Sequence, residues 1–185
     1  FICLSDPITL MKSCKNNAEI NGSRKAHLVD GIALTKFIHW LENEVDGTKN
    51  NYTEISLARK LLNFRQRNKD FKGLSFGTIS SLGSNGAVIH YQPEKETDKD
   101  LSDNDIYLLD SGGQYKFGTT DVTRTILNKR DKKPKDFNEI SNNYTLVLKG
   151  HIAVAASHFK KGETGKNLDN KARKFLIKNG LNYDH

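Results

Sequence analysis

Two aspartates, Asp110 and Asp121, flank a glycine-rich turn near the middle of the chain. Asp110 ends an apolar stretch, and Asp121 lies in a β-branched stretch on the same strand face as Thr119 and Thr123. If the two stretches pair as antiparallel strands, opposing side chains lie about 5 Å apart. Carboxylates at that distance repel each other unless they are protonated or bridged by cations. We therefore predict a site for two divalent cations about 3.5–4 Å apart, of the kind that activates water for hydrolysis.

The residue types also limit which cations the site would prefer. Carboxylate oxygens suit manganese or a similar hard ion, and zinc is the alternative. Spacing alone also fits a structural interpretation, in which one aspartate begins a turn and the other caps a hairpin. A single histidine such as His90 is more often a polar residue at a strand end than a functional one. On these residues alone, both interpretations stay open.

Helices are expected where apolar residues recur every three or four positions after a capping residue. The first helical region begins after Asp6 at Pro7, and the long helix that follows ends at Asp46-Gly47. Further helices are predicted at 53–64, 146–159 and 167–178.

Strands are expected where β-branched and apolar residues lie between turn residues. One is predicted to begin at 74–76, and others at 87–91, 106–110 and 119–126, with a turn at 83–86 and a charged loop at 92–105. The order of helices, then strands, then helices indicates an α+β domain with a mostly antiparallel sheet covered by helices.

The composition excludes several classes of protein. Hydrophobic residues make up 36% and charged residues 28%, and no apolar run is long enough to span a membrane. The net charge of +7 is scattered rather than interleaved with aromatic residues, so we expect no nucleic-acid binding. Cys3 and Cys14 lack a Cys-x-x-Cys spacing, and we expect reduced thiols in a cytoplasmic protein.

Longer motifs around the aspartates resemble a known family. The segments 109–115 (LDSGGQY) and 118–125 (GTTDVTRT) are similar to the paired-aspartate motif of the aminopeptidase P family. That family belongs with prolidases, creatinases and methionine aminopeptidases, the pita-bread hydrolases. The resemblance continues along the helical region 15–41, the region 75–91 around His90 and the segment 148–154. It implies a partial pita-bread fold of α+β class.

The resemblance also implies roles for individual residues. Asp110 and Asp121 match the first two metal ligands, with Asp121 bridging two divalent ions, manganese by preference. His90 matches a catalytic histidine that contacts the substrate near the bond to be cleaved. His185 aligns with the first histidine of a later stretch that helps form the substrate site. The family hydrolyses the N-terminal bond of peptides with proline in second position, through a hydroxide held between the metal ions.

We expect residues 1–185 to form the first part of such a catalytic domain, truncated on its C-terminal side before one histidine and two glutamates that complete the metal site. The chain alone should then be inactive, because two carboxylates supply at most half of the ligands. Prolidase or another pita-bread hydrolase is the alternative enzyme. A catalytically dead relative that acts as a binding protein is a second alternative, although both aspartates are retained. The predicted partner is a peptide substrate, and a homodimer of the full-length enzyme stays open.

Overall fold

The structure is a computed structural model that describes residues 6–45, 52–101, 106–128 and 134–184. The chain divides into two compact units, residues 1–130 and residues 131–185. We describe each unit by itself, and the assignment of 1–185 to one incomplete catalytic domain stays a prediction.

Three helices begin the first unit: α1 (Pro7–Ser13), α2 (Asn17–Asn43) and α3 (Glu54–Gln66). Asn16 and Glu19 form a capping box that starts α2, so the first helical region is two helices rather than one. Thr53 and Ser56 cap α3 in the same way, which confirms the helix predicted from residue 53. Asp46 and Gly47, the predicted end of the long helix, lie outside the described residues.

In the described residues of the first unit, six short strands form two antiparallel sheets. One sheet has the order β1 (Phe71–Leu74), β4 (Gly113–Tyr115) and β5 (Gly118–Thr119). The other has the order β2 (Ile79–Leu82), β3 (Ile106–Ser111) and β6 (Val122–Leu127). This combination of helices with antiparallel sheets confirms the predicted α+β class.

The hydrophobic core of the first unit packs α2 and α3 against the second sheet. Its buried members are Leu34, Phe37, Trp40, Leu41, Leu57, Leu61, Leu82, Leu101, Tyr107 and Leu109. Full burial of each such aliphatic or aromatic side chain contributes about 1.5–3 kcal/mol. Because burial alternates along β3, Tyr107 and Leu109 face the core and Asp110 faces away from it. The core therefore fixes the strand that presents the first aspartate.

The predicted strand at 87–91 is wrong. Residues Gly83–Ala87 form a 3-10 turn, which agrees with the turn predicted at 83–86, and the chain then bends through His90. Val88 and Ile89 are 56% and 46% exposed, so these β-branched residues pack in no sheet. Side-chain hydrogen bonds donated by Asn85 and Tyr91 to the buried Glu54 carboxylate hold this segment in turns instead, as described below.

Two other strand predictions have wrong boundaries. The expected strand at 119–126 is divided because β5 pairs with β4 in one sheet and β6 pairs with β3 in the other. Residues 120–121 connect the two sheets. The strand expected to begin at 74–76 instead ends at Leu74.

The second unit consists of α4 (Phe137–Ala155) and α5 (Gly165–Ile177), packed against each other. A β-carbon at Gly150 would lie 2.2 Å from the backbone oxygen of Ala172, so a glycine is required where the helices touch. The helix predicted at 146–159 begins nine residues earlier, at Phe137, because 137–145 is polar and shows little apolar periodicity. The prediction at 167–178 agrees with α5 to within two residues. None of the helices in the described ranges is long and apolar enough to cross a membrane.

Candidate metal centre

The two aspartates meet where the central strand of the second sheet ends. Asp110 is the last but one residue of β3, opposite Thr123 of β6, and Asp121 directly precedes β6. Asp121 lies two residues before Thr123, the partner of Asp110, so the two aspartates are offset across the strand pair rather than directly opposite. Their side chains nevertheless interact through charge and a hydrogen bond. Thr119, which we expected beside them, donates instead to Gln114 Oε1 at 2.6 Å.

The surroundings of Asp110 disfavour its ionised form, because its pKa is raised above the ordinary value. Burial is the largest cause that raises the pKa of Asp110, a hydrogen bond with Thr123 opposes it, and the Asp121 carboxylate raises it further. The charge of His90 has a smaller, lowering effect on the same pKa. Asp110 Oδ1 is buried and has no hydrogen-bond partner, whereas Asp121 is exposed. The protein thus holds two carboxylates together and leaves one buried oxygen open to an added ligand.

A buried ion pair contacts Ser111, whose side chain lies on the opposite face of β3 from Asp110. Arg65 donates from Nε to Asp30 Oδ1 at 2.7 Å and from Nη2 to Asp30 Oδ2 at 3.0 Å. Arg65 Nη2 also donates to Ser111 Oγ at 3.1 Å, and Tyr115 OH donates to Asp30 Oδ1 at 2.8 Å. Burial raises the pKa of Asp30, but the hydrogen bonds and charge of Arg65, together with hydrogen bonds from Tyr115 and Thr120, more than offset burial, so the pKa is lowered. Because Ser111 follows Asp110 in the chain, the ion pair helps to fix the backbone that presents the carboxylate.

The turn between the aspartates requires glycine at one position. A β-carbon on Gly112 would lie 2.0 Å from Thr120 O and 2.1 Å from Ser75 Oγ. Across this contact, Gly113 N donates to Thr120 Oγ1 and Thr120 N donates to Gly113 O, each at 2.9 Å. Ser75 Oγ donates to Thr120 O at 2.9 Å. The residues beside Asp110 and Asp121 are therefore held together through the backbone, which limits how far the two carboxylates can separate.

Of the two histidines predicted for the site, the structure describes His90 and not His185. His90 is exposed and lies in a turn, with φ 54°, a left-handed conformation that residues with a β-carbon seldom adopt. The charge of His90 lowers the pKa of Asp110 as the smallest of the causes that act on it, so the two side chains interact electrostatically. His185 lies outside the described residues, so its role in a substrate site stays a prediction.

The donor set fits part of a divalent-cation site. Asp110 and Asp121 offer carboxylate oxygens, which hard cations prefer, and Asp110 Oδ1 lacks any other partner. In the ranges that the structure describes, no group of three or more histidine, cysteine, aspartate or glutamate side chains could hold a metal. Two carboxylates are too few for a closed site, so additional ligands would have to come from other residues.

Sequence reasoning missed the supporting residues, although a signal for some of them was present. Asp30 lies on the buried stripe of α2 between Ala26 and Ala33, and Arg65 continues the buried stripe of α3 after Leu61. A carboxylate on one apolar stripe and a guanidinium on the next predict a buried ion pair, because neither is tolerated alone. Glu54 gave no such signal, since acidic residues are common in the first turn of a helix.

Comparison with known proteins connects this geometry with a family. A "Probable Xaa-Pro aminopeptidase P" from Podospora anserina is 48% identical over 183 residues, which cover 97% of this chain and 26% of that protein. The X-prolyl aminopeptidase of Caenorhabditis elegans, described as a cytosolic enzyme with a di-nuclear active site, is similar with TM-score 0.87 and 41% identity. That match covers 98% of this chain and 29% of the nematode protein.

A more distant structure shows how general the fold is. The X-Pro aminopeptidase of Thermotoga maritima has TM-score 0.74 at 23% identity over 96% of this chain and 46% of its own, a likeness of fold alone. Together these structures confirm the predicted partial pita-bread fold. Metallopeptidase family M24 matches residues 21–185. The chain therefore belongs to metallopeptidase family M24.

Proposed function

We propose that this chain supplies Asp110 and Asp121 to a site for two divalent cations in an enzyme that removes the first residue from peptides with proline in second position. The observation that carries the proposal is the pair of interacting carboxylates with a buried, unpartnered oxygen on Asp110. Manganese is the proposed ion because its preferred ligands are oxygens. When bound, such ions neutralise the carboxylates, polarise a peptide carbonyl and lower the pKa of a water molecule.

Each site residue has a distinct role in this proposal. Asp121 is exposed beside Asp110 and would help to hold both ions through a negative charge that no neutral side chain supplies. Asp110 contributes the buried oxygen. His90 is exposed next to them and would donate a hydrogen bond to the substrate carbonyl oxygen as negative charge develops on it. His185 is proposed as a further contact to the substrate.

The cellular setting forms part of the same proposal. The Caenorhabditis elegans relative is described as cytosolic, and Cys14 is an exposed free thiol, as expected in a reducing compartment. We propose a cytosolic enzyme that acts on peptides, with no nucleic-acid or membrane partner. The chain spans 26% of the Podospora anserina protein and 29% of the Caenorhabditis elegans protein, so we assign the activity to a larger polypeptide.

The proposal is tested by exchanging the matching segment of the Caenorhabditis elegans enzyme for these 185 residues. The chimera should hydrolyse a peptide with proline in second position when Mn²⁺ is present. Asp121→Asn should reduce hydrolysis to background, because a neutral amide cannot bridge two cations. His90→Ala should lower kcat by about a hundredfold with little change in KM, as expected for one lost hydrogen bond to a developing oxyanion.

The control is Glu139→Gln, which removes an exposed carboxylate from α4 and should leave kcat unchanged. Circular dichroism and gel filtration show whether each chimera is folded. A folded chimera in which Asp121→Asn retains full activity would contradict the proposal. Cleavage restricted to Xaa-Pro dipeptides would favour the prolidase alternative.

A further inference from the structure

We propose that the buried carboxylate of Glu54 is a positioning residue that fixes the turn carrying His90 next to the aspartate pair. This inference rests on the proposed function, since it assigns Glu54 a task within the same site. Glu54 is fully buried, at 0% exposure, at the first position of α3. It therefore acts through the residues that it binds and touches no substrate.

Glu54 binds both ends of the segment that precedes and includes His90. Its Oε1 accepts hydrogen bonds from Leu82 N at 2.6 Å and from Asn85 Nδ2 at 2.9 Å. Its Oε2 accepts a hydrogen bond from Tyr91 OH at 2.6 Å. Hydrogen bonds to an ionised carboxylate are shorter and stronger than those between neutral groups. One side chain thus holds the end of β2, the 3-10 turn and the residue after His90.

The backbone of the segment depends on this attachment. Val88 N donates to Asn85 O at 3.1 Å, and Tyr91 N donates to Val88 O at 3.2 Å, so two successive turns connect the attached residues. His90 lies inside the second turn with φ 54°. A residue with a β-carbon is unfavourable in that conformation and stays there only when its surroundings hold it. Release of either end should let His90 return to an ordinary conformation away from Asp110.

Other contacts of Tyr91 and Asn85 stabilise the following loop. Tyr91 OH lies 2.9 Å from Thr97 Oγ1, and Asn85 Nδ2 donates to Thr97 O at 3.0 Å. These bonds reach only the exposed loop itself, whereas Glu54 belongs to a helix whose buried face joins the core. Glu54 therefore attaches the segment that carries His90 to the buried face of α3.

The test uses nuclear magnetic resonance on the 185-residue chain with Mn²⁺, which broadens the signals of nearby protons. In the unchanged protein, Mn²⁺ should broaden the amides next to Asp110 and Asp121 and also the ring protons of His90. Tyr91→Phe removes one hydrogen bond to the Glu54 carboxylate, and Asn85→Ala removes the amide that donates to both of its oxygens. In both variants the broadening at the His90 ring should decrease steeply, because it depends strongly on the distance from Mn²⁺, while the broadening at the two aspartates persists.

Ser80→Ala is the matched control. It removes a buried hydroxyl that donates to the backbone oxygen of Glu54 at 2.7 Å, so it weakens packing around the same residue without touching the carboxylate. A purely structural role predicts the same effect in all three variants, whereas positioning predicts that His90 broadening survives in Ser80→Ala. Tyr91→Phe removes a single hydroxyl and should fold even if Asn85→Ala does not.

The possible failures are distinguishable. Broadening of the His90 ring that is unchanged in folded Tyr91→Phe would overturn the positioning role and leave the metal site intact. Loss of His90 broadening in Ser80→Ala as well would also overturn it, in favour of a general structural role. At millimolar concentration Mn²⁺ broadens nearby signals even where two carboxylates bind it weakly. No broadening near Asp110 and Asp121 in the unchanged protein under that condition would overturn the proposed function, and this inference with it.

Discussion

At the scale of single residues, the chain brings together two carboxylates, Asp110 and Asp121, which repel each other unless a proton or a cation lies between them. Asp110 is partly buried beside Asp121, and its Oδ1 has no hydrogen-bond partner. A group left in this condition usually has a functional reason, because it destabilises the folded state. The aspartates could be predicted from the sequence because their spacing is visible there. The unpartnered oxygen could not, because it depends on which neighbours cover it.

Asp110→Asn should stabilise the protein at neutral pH when chelator has removed divalent cations. The pKa of Asp110 is raised in the folded state, so the folded protein binds a proton more tightly than the unfolded chain does. Stability then decreases as pH rises from the unfolded value of 3.8 through the higher folded pKa, and ionised Asp110 is a cost above that window. The variant removes this cost. Urea unfolding at pH 7 and pH 3 measures it, and the gain should disappear at pH 3.

Glu94→Gln is the control, because Glu94 is an exposed carboxylate in a loop and its replacement should change stability by less than about 0.5 kcal/mol. A variant Asp110→Asn that is less stable than the unchanged protein at pH 7 would mean that ionised Asp110 stabilises the fold without a cation.

At the scale of elements, sequence patterns predicted helices and strands correctly where residues close together in the chain determine the structure. The capping residue Thr53 and the apolar positions of α3 suffice to form that helix, and the alternation in β3 is equally local. The prediction failed at 87–91 because Glu54, 37 residues before Tyr91, controls that segment. It failed at 119–126 because two sheets, formed with distant partners, divide the strand. Such contacts leave no periodicity in the sequence.

The buried ion pair between α2 and α3 leads to a prediction at this scale. Arg65→Met should lower the free energy of unfolding by about 3–5 kcal/mol, because it leaves the Asp30 carboxylate buried without its counter-ion. The pKa of Asp30 is lowered in the folded state, so its stabilisation is present above the unfolded value of 3.8 and is lost as pH falls through the lower folded pKa. The difference between the proteins should therefore shrink below pH 3.8.

The measurement is urea unfolding over a series of pH values. Arg59→Met, at an exposed position on the same helix, is the matched control and should change stability by about 0.5 kcal/mol or less. Adding Asp30→Asn to Arg65→Met should recover part of the loss, since the unpaired charge is then gone. Equal losses in Arg65→Met and Arg59→Met would show that the ion pair does not support the fold.

At the scale of the whole molecule, resemblance across many motifs predicted the family, the fold class and the aspartate pair together. The match to metallopeptidase family M24 over residues 21–185 confirms the family. The chain spans 26% of the Podospora anserina protein and 29% of the Caenorhabditis elegans one. In the described part of the chain, no set of three or more metal-binding side chains comes together. Whether Asp110 and Asp121 suffice for hydrolysis without further metal ligands can therefore be tested on the chain itself.

We expect the 185-residue chain to show no hydrolysis of Xaa-Pro peptides even with Mn²⁺ at millimolar concentration. Two carboxylates leave most coordination positions of each hard cation to water, which weakens binding and leaves the ions poorly placed for catalysis. The chain and the chimera described above are assayed side by side, so that a folded, active chimera shows the segment to be competent. Turnover by the chain alone that disappears in Asp121→Asn would mean that these residues already hold a working site, and that the two-ligand account of it is wrong.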